Sequence, residues 1–119
     1  MKRSWLKKAS IADLVAKYER AAYEQRRAPD HKVANKQWAI LATCYRELRE
    51  RGLDAQRCLL PLLNISDDGV RLWIAAHATE FAPDIAEEVL MEIAEKGGKL
   101  AYNAKQTLEV WRKEGLSFP

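Results

Sequence analysis

The sequence predicts an all-α fold of about six helices, paired as three antiparallel hairpins that stack into a short solenoid. Apolar residues recur at three- and four-residue spacing along most of the chain, which is typical of helices with one buried face. Proline, glycine and capping residues interrupt this pattern between the helices. The pattern of apolar residues in one turn-bounded hairpin, residues 58–83, recurs along the chain with a period of roughly thirty-five residues, as in stacked helical repeats.

The first predicted hairpin contains helices one and two. Helix one starts at Ser10, whose hydroxyl can cap the first turn, and ends in the segment 26–30, because the residue before Pro29 avoids helical angles. Helix two, which Asp30 can cap, is predicted from about His31 to Arg51, ahead of Gly52. Its apolar positions cover more than half of the helix circumference, so we expect it to be the most enclosed helix.

The central predicted hairpin contains helix three, from about Asp54 to Leu63, and helix four, from about Asp68 to Ala82. The turn between them offers Ser66, Asp67 or Asp68 as a cap.

The last predicted hairpin contains helices five and six. Helix five follows Pro83, which suits the first position of a helix, and ends at the glycine pair 97–98. Helix six runs from Lys99 to before Gly115. We expect a single domain over residues 10–115, with a basic N-terminal tail over 1–9 and a C-terminal tail over 116–119.

Residues of the central hairpin resemble the HEAT repeat. The matching residues are Leu60-Pro61-Leu62-Leu63, Asp67, Val70-Arg71 and Ala75-Ala76. This resemblance implies a right-handed HEAT-like (ARM-type) solenoid. It also implies that Asp67 and Arg71 form structural polar ladders between neighbouring repeats.

The chain also resembles a small bacterial family of HEAT-like domains known as domain of unknown function, number two thousand and nineteen. The residues that carry this resemblance are 59–63, 70–73, 103–104, 107–108 and 111–112. The family implies the fold but no activity.

Cysteine and histidine usage predicts no cofactor or metal. Cys44 and Cys58 lie outside any CxxC pair, in apolar stretches where we expect them to be buried, and only His31 and His77 are available to join them. Reduced thiols suit a cytoplasmic protein. We also expect no secretion signal, because the basic start is not followed by an apolar core, and no membrane span.

Charge is unevenly distributed along the sequence. Residues 1–58 hold fourteen Lys and Arg against seven Asp and Glu, residues 59–98 hold two against eight, and residues 99–119 hold four against two. Such a distribution can steer a charged protein partner or favour head-to-tail self-association. The alternative interpretation is that these charges only keep the protein soluble.

The leading functional hypothesis is a protein-interaction module that binds a still unidentified protein partner. The aromatic residues that could anchor this partner, if they are exposed, are Trp38, Tyr45, Trp73 and Tyr102. The alternative is nucleic-acid binding through the basic N-terminal half. The candidate basic patch contains Lys7, Lys8, Lys17, Arg20, Arg26 and Arg27, with Lys2 and Arg3 nearby in sequence.

An enzyme is the third alternative, and we expect no catalytic activity. The glutamates of helix five have no histidine at matching spacing, so they are interpreted as a solvated face. His77 falls on the apolar face of helix four, where a lone histidine is commonly a core residue with satisfied hydrogen bonds. It is the one residue of the central hairpin that the repeat pattern does not explain.

Overall fold

The computed structural model describes residues 3–64 and 67–119 of the chain. These residues form seven α-helices, one 3₁₀ helix and no strand. The elements are α1 (Arg3–Lys8), α2 (Ile11–Arg26), α3 (His31–Arg51), α4 (Leu53–Arg57), the 3₁₀ helix (Leu60–Asn64), α5 (Asp68–Ala78), α6 (Pro83–Ala94) and α7 (Lys99–Glu114). The all-α prediction is confirmed. The expected number of about six helices is wrong by one, because residues assigned to an N-terminal tail form α1.

Helices α2 and α3 begin at the side-chain caps that the sequence predicts. The Ser10 hydroxyl accepts a hydrogen bond from the Asp13 amide at 3.0 Å, and the Asp30 carboxylate accepts one from the Val33 amide at 3.0 Å. Each bond satisfies an amide that the first helical turn leaves without an intrahelical partner. Helix α3 ends where Gly52 adopts φ 114°, in the left-handed region that favours glycine.

The predicted helix three is divided into α4 and the 3₁₀ helix. Pro61 lacks an amide hydrogen and its ring clashes with the preceding turn, so an α-helix cannot continue through it. A short 3₁₀ helix accommodates the proline near its start. Helix α5 is also shorter than predicted: it ends at Ala78, and residues 79–82 form the turn that leads to Pro83. Ser66, one of the predicted caps, lies outside the described residues, and Asp67 caps α5.

The chain forms two compact units, residues 1–61 with Pro119 and residues 62–118. In the first unit, α2 packs along α3, and both α1 and α4 also contact α3. Its fully buried side chains include Leu14, Tyr18, Leu41, Tyr45 and Leu48. The expectation that α3 is the most enclosed helix is wrong: five of its 21 residues are buried, against six of 11 in α5 and five of 12 in α6, because residues 31–40 of α3 include none that is buried.

In the second unit, α6 packs against α5 and α7, which also contact each other. Its most deeply buried residues include Val70, Ile74, Ala75, Leu90 and Ile93. Four of these five are aliphatic residues larger than alanine, and they come from the predicted apolar faces of α5 and α6. The stacking of three hairpins into a solenoid stays a prediction.

Candidate functional site

The four aromatic residues proposed from sequence as a partner surface are not equivalent in the structure. Trp38 on α3 is 43% exposed and Tyr102 on α7 is 61% exposed. Tyr45 is only 1% exposed, and its hydroxyl accepts a hydrogen bond from Gln56 at 3.0 Å. Its assignment to a partner surface is therefore wrong, because it shares the core face of α3 with Leu41 and Leu48.

Trp73, the fourth candidate, is partly buried on α5 and stacks on His77 with ring centroids 6.2 Å apart. It therefore has a packing role within the second unit. Two exposed aromatic anchors remain, Trp38 in the first unit and Tyr102 in the second.

Several exposed apolar side chains were not identified from the sequence. In the first unit these are Tyr23 and Leu53, and in the second unit Ile85, Met91 and Val110. The angular position of each residue around its helix, compared with that of its buried neighbours, could have identified it as exposed. Met91, for example, falls between the buried Leu90 and Ile93 but on the opposite side of α6.

The candidate basic patch is partly used for internal contacts. The ammonium group of Lys7 lies 3.0 Å from Glu47 and 3.2 Å from Glu50. Arg27 donates a hydrogen bond to the hydroxyl of Tyr23 and lies over its ring. The two carboxylates offset the positive charge of Lys7, whereas the contacts of Arg27 leave its charge unchanged. Lys2 lies outside the described residues.

Glu47 is the centre of a charged cluster between α1 and α3. Its side chain is 8% exposed and accepts hydrogen bonds from Lys7 at 3.0 Å and Arg51 at 2.9 Å. Burial opposes its ionisation, but the two cations outweigh burial and hold the pKa of Glu47 below its ordinary value. Arg51 also donates to the carbonyl of Leu6 at 2.8 Å, so the cluster attaches α1 to the core of the unit.

An open pocket of about 320 Å³ lies between α2 and α3, and we call it the α2–α3 pocket. It is lined by Lys17, Arg20, Ala21, Glu24, Gln37 and Ile40. The ammonium group of Lys17 also lies 5.0 Å from the centre of the Trp5 ring, in cation–π geometry. The pocket thus combines two cations, a carboxylate and an amide with an apolar surface.

A second charged cluster joins α5 to α6. Arg71 contacts Asp68 at 2.9 Å and binds both carboxylate oxygens of Glu92, at 3.0 and 3.2 Å. Its Nε donates to the carbonyl of Leu63 at 3.0 Å, and Lys96 contacts Asp68 at 3.0 Å. We call Asp68, Arg71, Glu92 and Lys96 the Arg71 cluster.

Asp67 and Arg71, for which the sequence predicts one shared structural role, have different roles in the structure. The Asp67 carboxylate accepts a hydrogen bond from the Val70 amide at 3.0 Å and thereby caps α5. Arg71 links two helices, and its carboxylate partners are Asp68 and Glu92. Sequence reasoning missed Asp68 as the paired aspartate because adjacent acidic residues at a helix start are equally plausible caps.

His77 is 2% exposed and packs against two aromatic rings. Trp73 stacks on its imidazole, and the ring of Phe118 lies 4.6 Å away at an interplanar angle of 60°. His77 is therefore a packed core residue, and one of its partners comes from the C-terminal segment. Phe118 belongs to the segment that the sequence assigned to a tail.

The described residues include no group of three or more His, Cys, Asp and Glu side chains arranged to hold a metal ion. Every buried side-chain nitrogen and oxygen in ranges 3–64 and 67–119 has a hydrogen-bond partner. None of the helices in those ranges is both long enough and apolar enough to cross a membrane.

Comparison with known proteins gives one family and one solved structure. The family described as "Domain of unknown function (DUF2019)" matches residues 12–111. The crystal structure of the protein RPA1889 from Rhodopseudomonas palustris CGA009 is similar, with a TM-score of 0.87 and 26% sequence identity. The similarity covers 96% of this chain and 98% of that one. No curated protein has significant sequence similarity to the chain.

Proposed function

Because the chain belongs to the family Domain of unknown function (DUF2019), whose description assigns no activity, we propose from its own surface that it is a protein-interaction module. The observation that carries this proposal is the exposure of Trp38. Its side chain is 43% exposed on the longest helix of the chain's described part. Tryptophan is among the residues that contribute most to protein interfaces, because its large ring buries much apolar area.

The rigid position of Trp38 adds to this argument. Helix α3 is fixed by buried residues on one face, including Leu41, Cys44 and Leu48. An aromatic anchor on a fixed helix loses little conformational freedom when a partner covers it. Tyr102, 61% exposed on α7, offers a second anchor in the other unit.

The finer parts of the proposal concern architecture and location. We propose that the helix pairs are HEAT-like hairpins of a short right-handed solenoid, which the Arg71 link between α5 and α6 supports. Two free cysteines support a reducing compartment such as the cytoplasm. The proposed role is non-catalytic, and the partner is another protein.

Affinity capture from the native host, quantified by mass spectrometry, tests the interaction role. Wild type is compared with Trp38→Ala and Tyr102→Ala, and Leu53→Ala serves as the control because Leu53 is also exposed, at 56%. We expect at least one protein to be enriched by wild type and Leu53→Ala but reduced with one aromatic variant. Enrichment of no specific protein by wild type would exclude the proposed role.

Nucleic-acid binding is the second candidate, and the charge of the first unit favours it. Residues 1–61 carry fourteen Lys and Arg against seven Asp and Glu, a surplus of seven. Phosphate contacts release counterions, so any such binding must weaken as salt rises. Salt-sensitive retardation of DNA or RNA in a low-salt gel would support this candidate, and unretarded nucleic acid would remove it.

A further inference from the structure

The division of the chain into two units coincides with a reversal of charge. Residues 1–61 have a surplus of seven positive charges, whereas residues 62–118 hold six Lys and Arg against ten Asp and Glu. In the first unit, Glu47 and Glu50 are already paired with Lys7. A partner that approaches this unit therefore meets a positive potential, which favours an acidic surface on that partner.

The α2–α3 pocket concentrates this charge at a concave site. Lys17 and Arg20 supply cationic donors, and Gln37 adds an amide that can donate or accept. A guanidinium group can bind a carboxylate through two parallel hydrogen bonds, which fixes the position of the bound group. The cationic end of the pocket therefore suits a carboxylate.

The other end of the pocket has the opposite preference. Lys17, Arg20 and Glu24 follow each other at three- and four-residue spacing, so they lie along one side of α2. Lys17 and Glu24 are seven residues apart, which corresponds to about 10 Å along a helix. Glu24 at that distance suits a cation or another hydrogen-bond donor of the ligand.

Trp5 extends the site beside Lys17. Its ring is 38% exposed and lies 5.0 Å from the Lys17 ammonium group. Helix α1, which carries Trp5, is held to α3 by the contacts of Lys7 with Glu47 and of Arg51 with the Leu6 carbonyl. The indole thus provides an ordered apolar surface next to the cationic end.

We propose that the α2–α3 pocket binds an extended segment of the partner protein that carries one acidic and one basic side chain. The segment places an Asp or Glu side chain at Lys17 and Arg20, and a Lys or Arg three residues away at Glu24. The spacing follows from an extended segment in polyproline II conformation, in which three residues complete one turn and span about 9 Å, so both side chains lie on the same side of the chain. This inference rests on the proposed interaction role and names the chemical class of the partner.

The same geometry disfavours a nucleic acid as the occupant. A strand carries a negative phosphate at every nucleotide, so Glu24 would repel the phosphate that follows the one bound at Arg20. A peptide with one acid and one base has no such conflict.

Fluorescence anisotropy with labelled synthetic octapeptides tests the site on the full chain. One peptide carries Glu and Lys three residues apart in a Gly/Ser background, a second carries them adjacent, and a third carries two Glu three residues apart. The protein variants are Arg20→Glu and the control Arg46→Glu, since Arg46 is an exposed cation on α3 that does not line the pocket. Circular dichroism melts verify that both variants are folded.

We expect the first peptide to bind most tightly. Arg20→Glu should raise its dissociation constant by about tenfold or more, whereas Arg46→Glu should leave it within about twofold of the wild-type value. A Glu24→Lys variant should shift the preference to the peptide with two Glu. Equal weakening by both arginine variants, or no preference for the spacing, would overturn the inference. It would also be overturned if a single-stranded RNA bound more tightly through Arg20, or if sedimentation showed self-association of the chain that Arg20→Glu abolishes.

Capture from the host with the same variants separates this inference from the interaction role. Loss of the captured protein with Arg20→Glu but not with Arg46→Glu supports the pocket as the docking site. If the captured protein is retained with both variants, the pocket is not its docking site, but the proposed interaction role is unaffected. Failure of wild type to capture any specific protein overturns the role itself.

Discussion

The ring of Phe118 lies 4.6 Å from the imidazole of His77, at an angle of 60°. Tilted ring pairs at this distance are favourable beyond the apolar area that they bury. His77 also stacks on Trp73, so the C-terminal segment adds a second aromatic contact to His77 of α5. The contact gives Phe118, in the segment that the sequence assigns to a tail, a structural role in the second unit.

Replacing Phe118 with alanine should destabilise the protein by about 1–2 kcal/mol. The expected cost is below that of a fully buried phenylalanine, because Phe118 remains partly exposed. Equilibrium urea unfolding measures the change, with Ser117→Ala at the neighbouring exposed position as control. Equal stabilities of the two variants would contradict a packing role for Phe118.

Local sequence signals predict several helix bounds well. His31, Arg51 and Lys99 were all placed correctly, because capping side chains and glycines act within a few residues. The division at Pro61 was missed, although proline gives a local reason for it. The sequence pattern of leucines alone could not distinguish an α-helix end from a 3₁₀ helix.

The candidate sites were less predictable, because they depend on contacts between distant residues. Tyr45 was assigned to a surface although it shares a helical face with buried neighbours. Its position on that face was enough to predict that it is buried. The α2–α3 pocket had no such signal, since Gln37 becomes part of it only when α2 packs on α3. The stack on His77 likewise requires Phe118 from the far end of the unit.

Arg71→Met should cost about 1–3 kcal/mol of stability. The Arg71 side chain is 13% exposed and connects Asp68, Glu92 and the Leu63 carbonyl, so its loss leaves two partly buried acceptors, Asp68 and the Leu63 carbonyl, without this donor. The matched control is Arg112→Met, because Arg112 is 51% exposed and lies 3.5 Å from Glu87. We expect the control to change stability by less than about 0.5 kcal/mol. If thermal and urea unfolding showed similar losses of stability for Arg71→Met and Arg112→Met, the Arg71 cluster would stabilise the fold no more than an exposed ion pair does.

Acidification should weaken the fold through the same cluster. Hydrogen bonds from Lys96 and Arg71 hold the pKa of Asp68 below its ordinary value of 3.8, and Arg71 lowers the pKa of Glu92. The unfolded chain therefore binds more protons than the folded one at acidic pH. The stabilisation is complete above the unfolded pKa and is lost as pH falls through the folded pKa, so stability should drop below about pH 5.

Urea unfolding between about pH 6 and pH 3 measures this dependence. The variant Asp68→Asn removes one titrating group and should show a smaller loss of stability over that range than wild type. Parallel pH profiles would contradict the contribution of Asp68. Glu47, whose pKa is also lowered, is unchanged in the variant and should keep part of the dependence.

The two cysteines should differ in reactivity. Cys44 is buried, and burial raises the pKa of its thiol to about 11, with Lys17 opposing the shift. Cys58 is exposed, contrary to the expectation from sequence, and its sulfur lies 3.3 Å from the Asp54 carbonyl. Because the thiolate is the reactive species and needs access to the reagent, Cys58 should react first.

Titration with a chromogenic disulfide reagent at about pH 8 tests this difference. Native wild type should show one fast thiol, and unfolding in urea should release the second. Cys58→Ala should remove the fast phase and keep the slow one. Two fast phases in native wild type would show that Cys44 is accessible.

Truncation of buried leucines tests the assigned core faces of the second unit. Leu108 on α7 is 6% exposed and Leu62 in the 3₁₀ helix is 7% exposed, so each alanine variant should lose about 2–5 kcal/mol. Val110, two positions from Leu108 but 41% exposed, provides the control. Val110→Ala should change stability little, because alanine favours the helix and little burial is lost. Losses below about 1 kcal/mol for both leucine variants in equilibrium unfolding would contradict the assigned faces, since a cavity at either position must cost more than an exposed truncation.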